Sequence, residues 1–157
     1  MTPTRRHALH GAGAAGLHAL FASLGLLPGH AAAQTAAATR AILEARSVAE
    51  ALTAMGATGA ADSRQIAITA PDIAENGAVV PISVRSALPR TTLIAVLVDK
   101  NPNPFAASFE ILEGLEPDIG MRLKLSQSSD VIALVRADGR LWTSRREVKV
   151  TLGGCGA

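Results

Sequence analysis

The spacing of apolar positions changes once along this chain. From Thr39 to about Met55, "TRAILEARSVAEALTAM", apolar side chains at Ala45, Val48, Leu52 and Met55 recur three and four residues apart among good helix formers. That spacing predicts one amphipathic helix. Thr39 is placed to cap its start, and Gly56 and Gly59 to end it. After Ala60 the period shortens to two. "RQIAIT" and "VVPISV" alternate, the second putting Val80, Ile82 and Val84 on one face, and "MRLKLS" directs Met121, Leu123 and Leu125 one way and Arg122 and Lys124 the other. "TLIAVLVD" is apolar without a break, as a strand buried on both faces would be. "AASFEI", "DVIALVRA" and "RLWTSRREVKVTL" complete seven short strands, the last two joined at Asp138-Gly139, a pair suited to a type I′ turn because both residues need positive φ.

Seven strands at this spacing predict a mainly β chain: an immunoglobulin-like antiparallel β-sandwich with an N-terminal helix beside it. The Cys-Trp-Cys pattern of antibody domains is missing, and Trp142 reads as a core or hairpin residue. The expected organisation is a leader over 1–33, an N-terminal segment with one amphipathic helix over 34–63, the sandwich over 64–152 and a short flexible arm over 153–157.

The leader has a composition of its own. Arg5 and Arg6 and all four histidines, His7, His10, His18 and His30, fall in the first 30 residues of the 157, leaving 13 basic and 13 acidic residues afterwards. A twin-arginine start, a weakly apolar Gly/Ala/Leu stretch from Gly11 to Leu27, a helix-breaking Pro28 and Ala31-Ala32-Ala33 form the layout of a signal peptide. "TRRHAL" is similar to the bacterial Tat signal, although Ala8 and His10 stand where Phe and Lys are common, so Sec export stays open. A spanning helix needs about 20 strongly apolar residues, which this stretch does not supply. The expected destination is the periplasm, with no membrane attachment after processing. Scattered basic residues make nucleic acid an unlikely partner.

The chemistry narrows by elimination. A processed chain without histidine has no Ser-His or Cys-His pair and no ordinary zinc site, and Met55 and Met121 with one Cys make a poor copper set, so neither cofactor nor metal is expected. Glu113 and Glu116 read as a solvated loop. Asn76-Gly77 reads as a tight reversal between strands, and Pro102 and Pro104 as stiffeners of a loop, with partner contact as the alternative for both. The remaining feature is the terminal "VTLGGCGA". Cys155, the single cysteine, cannot pair within its own chain in an oxidising compartment. Gly153, Gly154 and Gly156 leave the backbone around it almost unrestricted, and the three residues after Leu152 extend roughly 10 Å. This is a short tether that could insert a sulfur into a partner's cleft. A free thiol, with pKa near about 8.5, is mostly protonated at neutral pH, so activation would have to come from the partner.

"PDIAENGAVVPISV", "NPNPFAASFEI", "MRLKL" and "VKVTLGGCGA" resemble the SoxY family, the sulfur-carrying subunits of the SoxYZ complex of bacterial thiosulfate oxidation. The likeness runs from about Ile66 to Ala157, and Ala157 stands where the family usually has a further Gly. The resemblance implies a carrier rather than an enzyme, paired with a SoxZ-like subunit. A c-type cytochrome pair, SoxAX, would join thiosulfate to Cys155; a dimanganese hydrolase, SoxB, would release sulfate; and a molybdenum-haem enzyme, SoxCD, where present, would oxidise the sulfane left behind. Two other readings stand beside it: a thiol oxidoreductase, which would need a resolving Cys or an activating His that the processed chain lacks, and a secreted sandwich that binds a partner through its faces with Cys155 incidental. If the twin arginines direct export, changing Arg5→Lys and Arg6→Lys together will leave the precursor in the cytoplasm. Fractionation that finds the variant at normal periplasmic levels would remove the Tat assignment.

Overall fold

The computed structural model describes residues 28–152, with side chains from residue 34. The expected leader up to Leu27 and the expected arm, 153–157, lie outside the described residues. The chain divides into two units, 1–39 and 40–157, and the boundary falls within the first described helix, α1, Pro28–Glu44. A second helix, α2, spans Val48–Ala54. Nine strands follow: β1 Ala61–Asp62, β2 Ile66–Thr69, β3 Ile73–Asn76, β4 Val80–Ser86, β5 Thr91–Val98, β6 Phe105–Glu110, β7 Asp118–Leu123, β8 Ser129–Ala137 and β9 Arg140–Leu152.

The single helix expected from Thr39 to Met55 is thus two. The break comes at Ser47, whose backbone is extended (φ −138°, ψ 156°) and whose Oγ accepts from the Glu50 amide at 3.2 Å. Glu50 reaches back in turn, its Oε2 accepting from the Arg46 amide at 2.8 Å. Ser-x-x-Glu is a capping pair that starts a new helix inside what looks like a continuous periodic run. Thr39 does not cap α1. It sits within the helix, its Oγ1 donating to the Thr35 carbonyl at 3.0 Å. Gly56 and Gly59 end α2 as expected, both in the left-handed region (φ +69° and +80°).

The strands form two layers. The larger sheet has the order β1-β9-β8-β5-β6, with β3 also on β9, and the smaller is β2-β4-β7. This is the expected immunoglobulin-like sandwich, with two pairings added. β1 and β3 both run parallel to β9, whereas every other pairing is antiparallel. β1 is only two residues long and β3 has a single buried position and no sustained alternation, so the sequence pattern contains seven strands and the described residues nine. β7 also starts earlier than "MRLKLS" suggested: Ile119, Met121 and Leu123 continue the inward alternation across Gly120, and Asp118 pairs with Arg85.

Burial explains the unbroken apolar runs. In β5, Ile94, Val96 and Val98 face the small sheet and pack with Val80, Ile82, Val84, Val131 and Val135. Ala95 and Leu97 face the other way and join Ile132 and Leu134 beneath Ala45, Ala51 and Ala57. Alanines bring the α2 segment close to the sheet without displacing it. The hairpin between β8 and β9 turns at Asp138 (φ +51°) and Gly139 (φ +69°), as both residues of a type I′ turn require. Asp138 also pairs with Arg90. Trp142 is half-buried on β9, packed against the inter-sheet core with the Arg140 guanidinium 5.6 Å from its ring centroid; it is a hairpin residue.

Leu134 is fully buried under the α2 layer, so Leu134→Ala is expected to cost about 2–5 kcal/mol, read as a lower urea midpoint. Leu43→Ala, at a 55% exposed position, should leave the midpoint near wild type, costing no more than about 0.5 kcal/mol.

Candidate functional site

Gly153, Gly154, Cys155 and Gly156 lie outside the described residues, so the candidate site is the end of the sandwich where β9 delivers them. β9 is 13 residues long, more than its antiparallel partner can match. The ladder with β8 ends at Ser129 opposite Val148. Beyond it the other edge of β9 takes over, with β3 pairing Ile73 to Lys149, Ala74 to Val150 and Asn76 to Leu152.

Backbone and side-chain bonds close around these last residues from both sides. The Lys149 amide donates to the Asp72 carbonyl at 3.0 Å, and the Gly77 amide to the Leu152 carbonyl at 2.8 Å. Thr151 Oγ1 donates to the Glu75 carbonyl at 3.0 Å. Across the strand, Ser128 Oγ accepts from the Val150 amide at 2.9 Å. Gly77 is buried, and its carbonyl accepts from the Leu125 amide at 2.7 Å, which ties the β3–β4 turn to the end of β7. The strand is therefore held to its last described residue, Leu152, where the sequence pattern expected pairing to stop.

The two turns weighed earlier both serve this end of the molecule. Asn76 Oδ1 accepts from the Ala78 amide at 2.8 Å, and the reversal at Asn76-Gly77 carries the chain from the large sheet to the small one. In the proline-stiffened loop, Asn101 Oδ1 accepts from the Ser126 amide at 2.9 Å and its Nδ2 donates to the Lys124 carbonyl at 2.7 Å. Asp99 Oδ1 accepts from the Asp130 amide at 2.8 Å. One asparagine thereby staples the β5–β6 loop to the β7–β8 loop. What the sequence pattern missed here is β3. Ile73-Ala74 with Ala74 buried is its only alternation, and the cue is its position directly before Asn76-Gly77.

Among the described residues no group of three His, Cys, Asp or Glu could hold a metal ion, and no helix is long and apolar enough to cross a membrane. Glu113 and Glu116 are exposed in the β6–β7 loop. Arg85, whose Nε donates to Asp118 Oδ2 at 2.8 Å, is held above its usual pKa by that hydrogen bond and by the charge of Asp118, but the pair lies open to solvent on the small sheet and pins register rather than chemistry. A groove of about 670 Å³ crosses the same outer face, lined by Thr69, Ala70, Pro71, Pro81, Ser83, Met121 and Arg122 among others.

The anchoring at Ser128 is testable by itself. Ser128→Ala removes the acceptor of the Val150 amide, and loss of a hydrogen bond worth about 1 kcal/mol should speed hydrogen exchange at Val150 by several-fold. The amide of Leu134, deep in the ladder, should be unaffected.

Comparison with known proteins fits this architecture. The family model for the sulfur oxidation protein SoxY matches residues 51–155. Among solved structures, the sulfur carrier protein SoxY from Chlorobium limicola f thiosulfatophilum is 34% identical, covers 68% of this chain and 97% of its own, and superposes with a TM-score of 0.61. A superoxide reductase (neelaredoxin) from Ignicoccus hospitalis is 22% identical over 55% of this chain and 80% of its own, with a TM-score of 0.48. No curated protein sequence matches. The family match begins within α2, takes in the whole sandwich and reaches Gly153, Gly154 and Cys155 in the sequence, and the chain belongs to the SoxY family of sulfur oxidation proteins.

Proposed function

We propose that this chain is a periplasmic carrier that holds thiosulfate-derived sulfur covalently on Cys155 while other proteins act on it. The observation that carries the reading is the placement of Leu152. A strand fixed on both edges reaches Leu152, the last described residue, three positions before the single cysteine, in a chain whose family match extends to residue 155. The 34% identical Chlorobium protein is itself described as a sulfur carrier.

The chemistry divides between this chain and its partners. Joining the Cys155 thiolate to thiosulfate forms a sulfur–sulfur bond and releases two electrons, which a SoxAX-like cytochrome pair would accept. Hydrolysis of the resulting Cys-S-S-sulfonate consumes one water, releases sulfate and two protons, and leaves a persulfide on Cys155. That step belongs to a SoxB-like hydrolase, and a SoxCD-like enzyme, where the host has one, would oxidise the sulfane. A SoxZ-like subunit completes the carrier. In this division the chain needs no base, metal or cofactor of its own. It needs a thiol, Gly153, Gly154 and Gly156 for reach and slimness, and a body that holds the root of the arm still.

The test separates the thiol from the tether. Cys155→Ser is expected to abolish thiosulfate-dependent oxidation while the urea midpoint and association with the partner subunit stay at wild-type values. Replacing Gly153 and Gly154 by Val keeps the thiol but adds β-branched bulk and restricts the backbone. Iodoacetamide should label that variant normally while its turnover falls at least tenfold. A double-valine protein that oxidises thiosulfate at the wild-type rate would overturn the swinging-arm account. Intact-mass spectrometry of protein from the native periplasm should show sulfur or thiosulfonate adducts that disappear in the Cys155→Ser variant.

A further inference from the structure

The arm is short, and that limits where a partner can stand. From Leu152 to Cys155 is three residues, roughly 10 Å at full extension. A reacting centre recessed by even several ångströms uses most of that length. Any enzyme that receives the thiol must therefore bring the lip of its cleft down onto the carrier surface around Leu152, whichever reaction it performs.

That surface carries two large apolar side chains in the open. Leu152 is 67% exposed and Val79 56% exposed. They belong to one region: the Gly77 amide is 2.8 Å from the Leu152 carbonyl oxygen, and Val79 follows two residues later, so the two Cα atoms are at most about 14 Å apart. Single exposed apolar residues are ordinary on any surface. Here they stand at the one place that arm length obliges a partner to touch, on backbone fixed by the bonds through Gly77, Thr151 and Ser128. Such a surface loses little freedom on binding, so its burial goes into affinity.

We propose that Leu152 and Val79 form the docking rim for the enzymes that load and unload Cys155, and that these enzymes present an apolar collar around their active-site mouths to meet it. The inference rests on the carrier reading above. One arm length serves every partner, so all of them share this rim, and loading and unloading enzymes compete for it and never bind together.

The experiment uses the processed full-length carrier, purified with any subunit that accompanies it. Treatment with tetrathionate exchanges thiosulfate for the Cys155 thiolate and leaves Cys-S-S-sulfonate. Sulfate release by periplasmic extract of the native host is then measured against carrier concentration. Changing Leu152→Ser and Val79→Ser together is expected to raise KM about tenfold with kcat within twofold of wild type, while iodoacetamide labelling of the untreated thiol and the urea midpoint stay unchanged. Leu152→Ser alone should give an intermediate rise. Leu115→Ser, an equally exposed leucine at the opposite end of the sandwich, should leave KM where it was. An unaltered KM in the double variant, or an equal rise with Leu115→Ser, overturns the rim. So does a double variant that loses its accompanying subunit or changes its oligomeric state, because the patch would then face a permanent neighbour. If the wild-type loaded carrier releases no sulfate, the carrier reading itself falls and takes the rim with it.

Discussion

The structure depends on β9 being paired along both edges. Its first nine residues form a ladder with β8, and its last four are taken over by β3 on the other side. A strand that overran its antiparallel partner would otherwise leave backbone amides and carbonyls open and its end free to fray. The parallel pairing, the Ser128 hydroxyl and the Gly77 amide satisfy those groups instead. The consequence is mechanical: Leu152, the root of the proposed carrier arm, is fixed relative to the body.

Fixing that point requires a body that does not yield, and two-sided burial supplies it. β5 and β8 are covered on one face by the small sheet and on the other by the α2 segment, so Ile94 to Val98 and Val131 to Val135 are nearly removed from water throughout. The alanines at 45, 51 and 57 let backbone approach backbone in that second layer. The same demand accounts for the loops. Asn101 and Asp99 use side-chain bonds to hold the β5–β6 loop to the β7–β8 loop and to the start of β8 at the β9 end, whereas the β6–β7 loop at the opposite end leaves Leu112 and Leu115 exposed.

The sandwich was legible because its longer strands obey one period each. Val80, Ile82 and Val84 face inward as their alternation requires, and the Asp138-Gly139 turn has the positive φ angles its residue types favour. Errors came where local chemistry interrupts a period. Ser47 and Glu50 restart a helix in the middle of an amphipathic run whose apolar spacing barely changes. β1 is too short for alternation to register and β3 buries only Ala74, and their pairing with β9 involves contacts from 74 to 81 residues away in sequence, such as Asp62 Oδ1 accepting from Thr143 Oγ1 and Asp72 from Arg146. For the candidate site the balance was different. Cys155 and its glycines were plain in the sequence because they break the strand pattern, but the clamp that holds their root was not, since its members, Gly77, Thr151 and Ser128, are ordinary residues whose value lies in where the fold puts them.

A carrier and an enzyme make opposite demands on a fold. An enzyme gathers groups of shifted pKa into a cleft and excludes water from them. A carrier must keep its attached intermediate inert until a partner encloses it, and a metal or a second thiol near the attachment point would release the cargo early. The end of this sandwich around Leu152 is made of backbone bonds, hydroxyls from Ser128 and Thr151, the side-chain amide of Asn76, the aliphatic surfaces of Val79 and Leu152, and the exposed charges of Glu75 and Lys149. None of these attacks a sulfur–sulfur bond. A surface of this make-up suits the proposed carrier role, because a thiosulfonate held there would meet no group that cleaves a sulfur–sulfur bond.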